Sequence, residues 1–343
     1  MYAAARVLVL GSYANPDSFE WHIVDSLSNL GCTVELVYSA KNVSGPLAFA
    51  EKALHKATSL LLREPERLIE ARLLRMIDEF SPTIILVVLG NQLSPKTMEV
   101  VRKRTTARIV CWCQDHMTTL GRQFLVAGGY DAVFLKDRYM LDIFSRMIRT
   151  TRFYYLPEAC NPRMHRPLPI SERDIELYGC DVMIAGTLHY YRQEILRQLV
   201  QRSAGLDLKI WGSRPDWLQD RLPGRHMGRL VHGDEKVRAA RSAKICLNTL
   251  HYGEVNSLNC RAFEIAGCGG FQIVTRVATL AEHFEPEAEV VSFCSVDEMI
   301  EKVDYYLHHP AAAAAIAERG RLRAHRDHTY EHRLTEILRI ADT

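Results

Sequence analysis

Two apolar runs, one in each half of the chain, end in glycine and pass directly into a segment of helical periodicity: RVLVLGS at residues 6–12 and CDVMIAGT at 180–187. An apolar run without polar alternation reads as a strand covered on both faces, the usual placement in a parallel sheet. In the first half the helical segment covers about residues 18–30, stops at Gly31 and leads into TVELVY at 33–38. Strand, glycine turn, helix and strand make a βαβ unit, so a parallel, doubly wound sheet is expected. Further strand-like runs at 83–89, 108–113 and 130–135 alternate with helical patterns around 98–103 and 141–147, and a short run ends at Pro157. The second half starts the plan again, with strands expected at 180–185, 208–211, 244–250, 271–274 and 290–293. Helices are expected there over about 234–242, 296–307 and, in one or two pieces, 316–340. Residues 157–169 hold four prolines and read as the interdomain linker.

Bulk properties bound the function classes. A chain of 343 residues is long enough for two domains. Its 48% hydrophobic and 24% charged residues are those of a soluble globular protein. A formal charge of +2 is too small to argue for nucleic acid as a partner. Nine cysteines, without zinc or disulfide-framework spacing, read as reduced thiols. Cys111 and Cys113, on one face of a strand, read as buried core residues. The opening MYAAARVLVLGSY lacks the layout of a signal peptide, and no stretch is long enough to span a bilayer. A cytoplasmic location is the expectation. The turn GSYANP contains no G-x-G-x-x-G, which disfavours hydride transfer on the usual dinucleotide fold.

Residues 47–80 are Leu-rich and helical in pattern, with basic residues interspersed and a break expected at Pro65. A covering helix with a solvated basic face is the commoner use of such a segment; contact with an anionic membrane surface is the alternative. Polar groups that follow parallel strands stand where open α/β sheets bind ligands. Gly90 and Asn91 follow the strand at 83–89, and Asp115 and His116, after the strand at 108–113, are on that ground candidates for catalytic or acceptor-side groups. The alternative for Asp115 and His116 is a cap on the helix ahead. Asp17, after the first strand, is a weaker candidate of the same kind. In the second half Gly186 and Thr187 stand at a helix start whose amides and dipole suit a diphosphate.

The stretch NSLNCRAFEIAGCGGFQIVT at 256–275 joins an amphipathic helix to a strand. Leu258, Ala262, Phe263, Ile265 and Ala266 follow helical spacing, and Gly267, Gly269 and Gly270 are expected to stop the helix. Arg261 and Glu264 are three apart on one helix face. They can form a surface ion pair, or act as a ligand clamp in which Glu264 takes ribose hydroxyls and Arg261 faces phosphate. His325, His328 and His332 fall near one helical stripe, a spacing open to zinc or to a purely structural role.

The segments NCRAFEIAGCGG at 259–270 and HTYEHR at 328–333 resemble the GT-B glycosyltransferases, and within them the CgeB/YkvP spore-maturation type. LPEACNPRMHRPL at 156–168 is similar to the linker of the same proteins. The resemblance implies an α/β protein of two Rossmann-like doubly wound domains facing across a cleft. It places an acceptor-side domain at about 1–160, a nucleotide-sugar domain at 161–320, and a last helix, 321–343, crossing back onto the first. It implies a metal-independent, hexosyltransferase-like enzyme that transfers a sugar from a nucleotide-diphosphate sugar to an acceptor hydroxyl, with no cofactor beyond the donor. The implied donor-binding set is Gly186, Thr187, Arg192, Gly212, Asn256, Asn259, Arg261 and Glu264; His116, Asp115 or Asp17 would be the base. Many retaining relatives carry two glutamates separated by seven residues, and the first of these would fall here on Asn256. A non-catalytic nucleotide-sugar or glycan-binding protein, and a nucleotide-sugar epimerase, are the alternatives on the same fold. Polysaccharide, protein, lipid-linked glycan and a small molecule are all open as acceptors.

Overall fold

The computed structural model describes residues 4–11, 16–38, 66–88, 93–116 and 124–342. The expected break at Pro65, the first part of the basic segment and the Gly90–Asn91 turn lie outside them. The chain divides into two units, Met1–Pro157 with Tyr330–Thr343, and Glu158–Thr329. Among the described residues no helix is long and apolar enough to cross a membrane.

The first unit is a six-stranded sheet in which every neighbouring pair is parallel. Its strands are β1 (Arg6–Gly11), β2 (Thr33–Tyr38), β3 (Ile84–Val88), β4 (Arg108–Cys113), β5 (Ala132–Leu135) and β6 (Phe153–Tyr155), in the order β2-β1-β3-β4-β5-β6. Leu8, Leu10, Ile85, Val87, Ile109, Cys111 and Val133 build one core with Leu73 and Ile77 of α2 (Glu66–Phe80). Helix α1 (Phe19–Asn29) begins where the Ser18 side chain accepts the Trp21 amide, a standard N-cap. Among the described residues this unit also has the helices α3 (Pro95–Arg104), α4 (Arg138–Met147) and the last of the chain, α12 (Tyr330–Ala341). Tyr330 stacks on His22 of α1 at 4.9 Å and meets Phe19 and Trp112 edge-on, while Arg333 donates to the Pro157 carbonyl at 3.2 Å.

The second unit is a five-stranded parallel sheet, β11-β10-β9-β7-β8. Its strands are β7 (Cys180–Ala185), β8 (Leu208–Trp211), β9 (Ala243–Asn248), β10 (Gln272–Thr275) and β11 (Val291–Phe293). Because β7 has β8 on one side and β9 on the other, chain direction across the sheet reverses there, and ligands of open α/β sheets sit outside the carboxyl ends of the strands at such a point. Helices α6 (Tyr190–Arg202), α7 (Gly233–Ser242), α8 (Cys260–Cys268), α9 (Leu280–His283), α10 (Val296–His308) and α11 (Pro310–Asp327) cover it.

Four sequence expectations need correction. Helix α5 (Glu172–Tyr178) was not foreseen, although Ser171 and Asp174 cap one another reciprocally at its start. The segment 157–169, read as the interdomain linker, starts at the boundary between the units, but Ala159, Cys160, Asn161 and His165 are fully buried, so residues 158–165 pack as part of the second unit. Gly267 lies inside α8, where a Cβ would stand 3.2 Å from Cys160 and His165, so it serves close packing; Gly269, at φ +77°, ends the helix. The histidine stripe is interrupted. His325 is in α11 and donates to the His165 carbonyl at 2.8 Å, His328 follows that helix and bonds the His283 carbonyl at 2.7 Å, and His332 belongs to α12. All nine cysteines are free thiols, and burial pushes that of Cys111 well above its ordinary value.

Candidate functional site

The site in the second unit forms where β7 and β9 end. Gly186 follows β7 at φ +117°, a conformation that side chains avoid. A Cβ there would lie 3.0 Å from Nη1 of Arg261 and 3.3 Å from Nη1 of Arg192, so both guanidinium groups lean on this one glycine. Gly212 closes the same turn from β8: its own Cβ would stand 2.0 Å from the Gly186 carbonyl oxygen. The Gly186 amide donates to the Trp211 carbonyl at 2.8 Å, and the Thr187 and Ser213 hydroxyls are 3.1 Å apart.

Arg192, on the first turn of α6, is 96% buried, being 4% exposed. Its Nε donates to the Thr249 hydroxyl at 2.9 Å, its Nη2 to the Thr249 carbonyl at 3.0 Å, and its Nη1 to the Thr187 carbonyl. Burial first, and then Arg261, push its pKa down to about 9, which leaves it charged at neutral pH. Among the described residues no carboxylate pairs with Arg192 or Arg261. A buried cation without a counter-charge is costly unless something anionic joins it, so this pair of arginines favours an anion strongly. His189, the N-cap of α6, makes no capping bond through its side chain and leaves the helix amides open. Its ring meets that of His251 at 5.2 Å, and burial together with Arg192, His251 and Arg261 lowers its pKa to about 4.

One turn along α8, Glu264 is buried and accepts from Lys236 of α7 at 3.1 Å; His165 Nε2 stands 3.9 Å from its other oxygen. Arg261 and Glu264 therefore form no ion pair with one another, and the surface-pair reading of this spacing is overturned. Both line a cavity of about 20 Å³, with Lys236, Met183, Ala185 and Cys246 among its other walls, room for about one water. Asn259 caps α8 by accepting the Ala262 amide and exchanges two 3.0 Å hydrogen bonds with Asn248. Asn256 Oδ1 accepts the Thr279 amide at 2.9 Å. The two asparagines therefore shape the loop and the helix start with their own side chains.

In the first unit Asp115 is exposed and His116 buried, directly after β4. Asp17 precedes α1 at φ +72°, and His22 Nε2 donates to its carboxylate at 3.2 Å, both side chains being 1% exposed. His22 completes an imidazole–carboxylate pair that a spacing of five residues does not advertise. The other groups missed from sequence are His189, Thr249, Lys236 and His165. Thr249 and Arg192 are 57 residues apart, and no local pattern links them.

Residues 192–339 match the family model described as "Glycosyl transferase-like". No curated protein matches the sequence significantly. Among solved structures, sucrose-phosphate synthase from Thermosynechococcus elongatus is similar at a TM-score of 0.71, with 13% identity over 98% of both chains. The Anabaena HepE protein, solved in complex with UDP and glucose, is similar at 0.69, with 13% identity over 98% of this chain and 99% of that one. The trehalose-6-phosphate synthase OtsA also reaches 0.69, with 12% identity over 99% of each. The chain is thus a protein of the GT-B fold, two Rossmann-like units in one polypeptide, and carries a glycosyl transferase-like family domain over residues 192–339.

Proposed function

We propose that this protein transfers a sugar from a nucleotide-diphosphate sugar to an acceptor hydroxyl. The observation that carries the reading is the pair Arg192 and Arg261 over Gly186, two cations without a carboxylate among the described residues at the switch point of the second sheet. In the transfer, the acceptor oxygen bonds to the anomeric carbon, the bond from that carbon to the diphosphate oxygen breaks, and the acceptor proton leaves to a base. Charge grows on the leaving diphosphate, which is where fixed cations and open helix amides contribute most. Gly186, Thr187, Arg192, Gly212 and Arg261 form the diphosphate side in this reading, and Glu264 takes the ribose hydroxyls by exchanging Lys236 for them. Asn256 and Asn259 hold that loop and helix in place. For the base, the first unit offers His116, Asp115 and Asp17, the last with His22 behind it.

The family domain and the fold favour transfer over a glycan-binding module or an epimerase. We further propose a hexose as the transferred sugar, no metal, membership of the CgeB/YkvP-type branch and a cytoplasmic site of action. The test is thermal stabilisation by a panel of nucleotide-diphosphate sugars without added metal, beginning with UDP-glucose, which a structural neighbour binds. A ligand at about a hundred times its dissociation constant adds roughly 2.7 kcal/mol. A shift confined to one nucleotide, followed by product in an acceptor screen, supports transfer. A shift without turnover on any acceptor leaves the binding module, and no shift at all overturns the donor site.

A further inference from the structure

We propose that His189 is a third cation of the diphosphate site, one that acquires its proton only when the donor arrives. The inference rests on the donor-site reading above. It starts from position: His189 caps the amino end of α6, three residues before Arg192, beside the glycine turn where the arginines converge. Its side chain does no capping, so it does not serve to close the helix.

Among the described residues, the charged and titratable groups acting on it are cationic or neutral. They are Arg192 from its own helix, Arg261 from α8 and His251 from the segment after β9. In the free protein partial burial, and then these neighbours, keep the ring neutral through the physiological range. Burial is the larger cause of that neutrality and the positive neighbours come next. Two negative charges placed against Arg192 and Arg261 reverse the sign of the neighbours' field and give the ring an anionic partner, so it gains a proton from solvent. His251 is the less suited member of the pair. Its Nδ1 accepts the Gly253 amide at 3.1 Å, a bond that protonation of that nitrogen would break.

The sign follows by linkage. The ring is neutral in the free state above about pH 4 and charged in the complex, so binding takes up one proton and tightens as pH falls from the ordinary histidine range toward that value. Folding alone shows the opposite trend, because the unfolded chain binds that proton at higher pH than the free native state does.

The experiment is calorimetric titration of the full chain with the nucleotide-diphosphate sugar that binds in the panel, across pH 5–8 and in two buffers of different ionisation enthalpy. A diphosphate diester has no titrating group in this range, so proton uptake belongs to the protein. Uptake approaching one proton, and affinity rising up to about tenfold per pH unit toward acid, are expected for the native chain. His189→Gln should still bind but with a flat profile, while His251→Gln should keep the slope. Binding without uptake in the native chain overturns the role of His189 and leaves the donor site standing, as does a slope that persists in His189→Gln. If no nucleotide sugar binds at any pH, the donor site falls and this inference with it.

Discussion

The two units share one architecture and arm it with opposite chemistry. Both are parallel sheets with polar groups gathered after the strand ends. In the first unit these are carboxylates and imidazoles, Asp17 held by His22 and the Asp115–His116 pair. In the second they are cations at a glycine turn, Arg192 and Arg261, with a buried carboxylate one turn along, Glu264, matched to Lys236. The difference teaches that a doubly wound sheet sets where a ligand goes but not what it is. On the function proposed above, a short list of side chains after the strands has one unit take a proton and the other hold an anion.

The sharpest way to break the comparison is at backbone level. Gly212→Ala puts a methyl 2.0 Å from the Gly186 carbonyl, backbone against backbone, and should cost about 3 kcal/mol or more in urea unfolding while leaving the first unit's near-ultraviolet signals in place. Next, Arg261→Ala should weaken nucleotide-sugar binding about a hundredfold, near 2.7 kcal/mol, without an equal loss of stability; unchanged affinity in calorimetry would remove the anion site from the second unit. Asp17→Asn attacks the other side. Asparagine tolerates the positive φ, so the chain should fold and bind donor normally while turnover drops by about a hundredfold; full turnover would clear the Asp17–His22 pair. Asn259→Ala removes a helix cap and orphans Asn248, and about 2 kcal/mol of stability should go with it. The smallest effect is expected from Arg146→Ala, which breaks only an exposed pair with Asp142 and should leave the urea midpoint where it was.

Much of the fold was legible because apolar runs, glycines and helix periods are local signals. The runs at 6–12 and 180–187 announced the two sheets, and the strands at 108–113 and 208–211 were read to the residue. Helix α5 escaped because only seven residues long, with an exposed Ile175 and Leu177, it offers too little apolar face to reveal a period. The histidine stripe failed for the opposite reason: its period was real on paper, but the chain passes from one unit to the other between Thr329 and Tyr330. That passage also explains HTYEHR, in which His328 serves the second unit while Tyr330 and Arg333 anchor the last helix in the first.

The amino-acid sequence by itself determined the alternation of strand and helix, the glycine turns after β7 and β8, and the presence of Arg192, Arg261 and Glu264 near them. Only tertiary structure decided their partners. Glu264 pairs with Lys236 from α7 and not with Arg261, its neighbour on the helix. Arg192 bonds to Thr249 where β7 and β9 end side by side, and among the described residues no carboxylate pairs with it. Local periodicity records what each residue prefers; which charge meets which is settled by strands that become neighbours only after the sheet has formed.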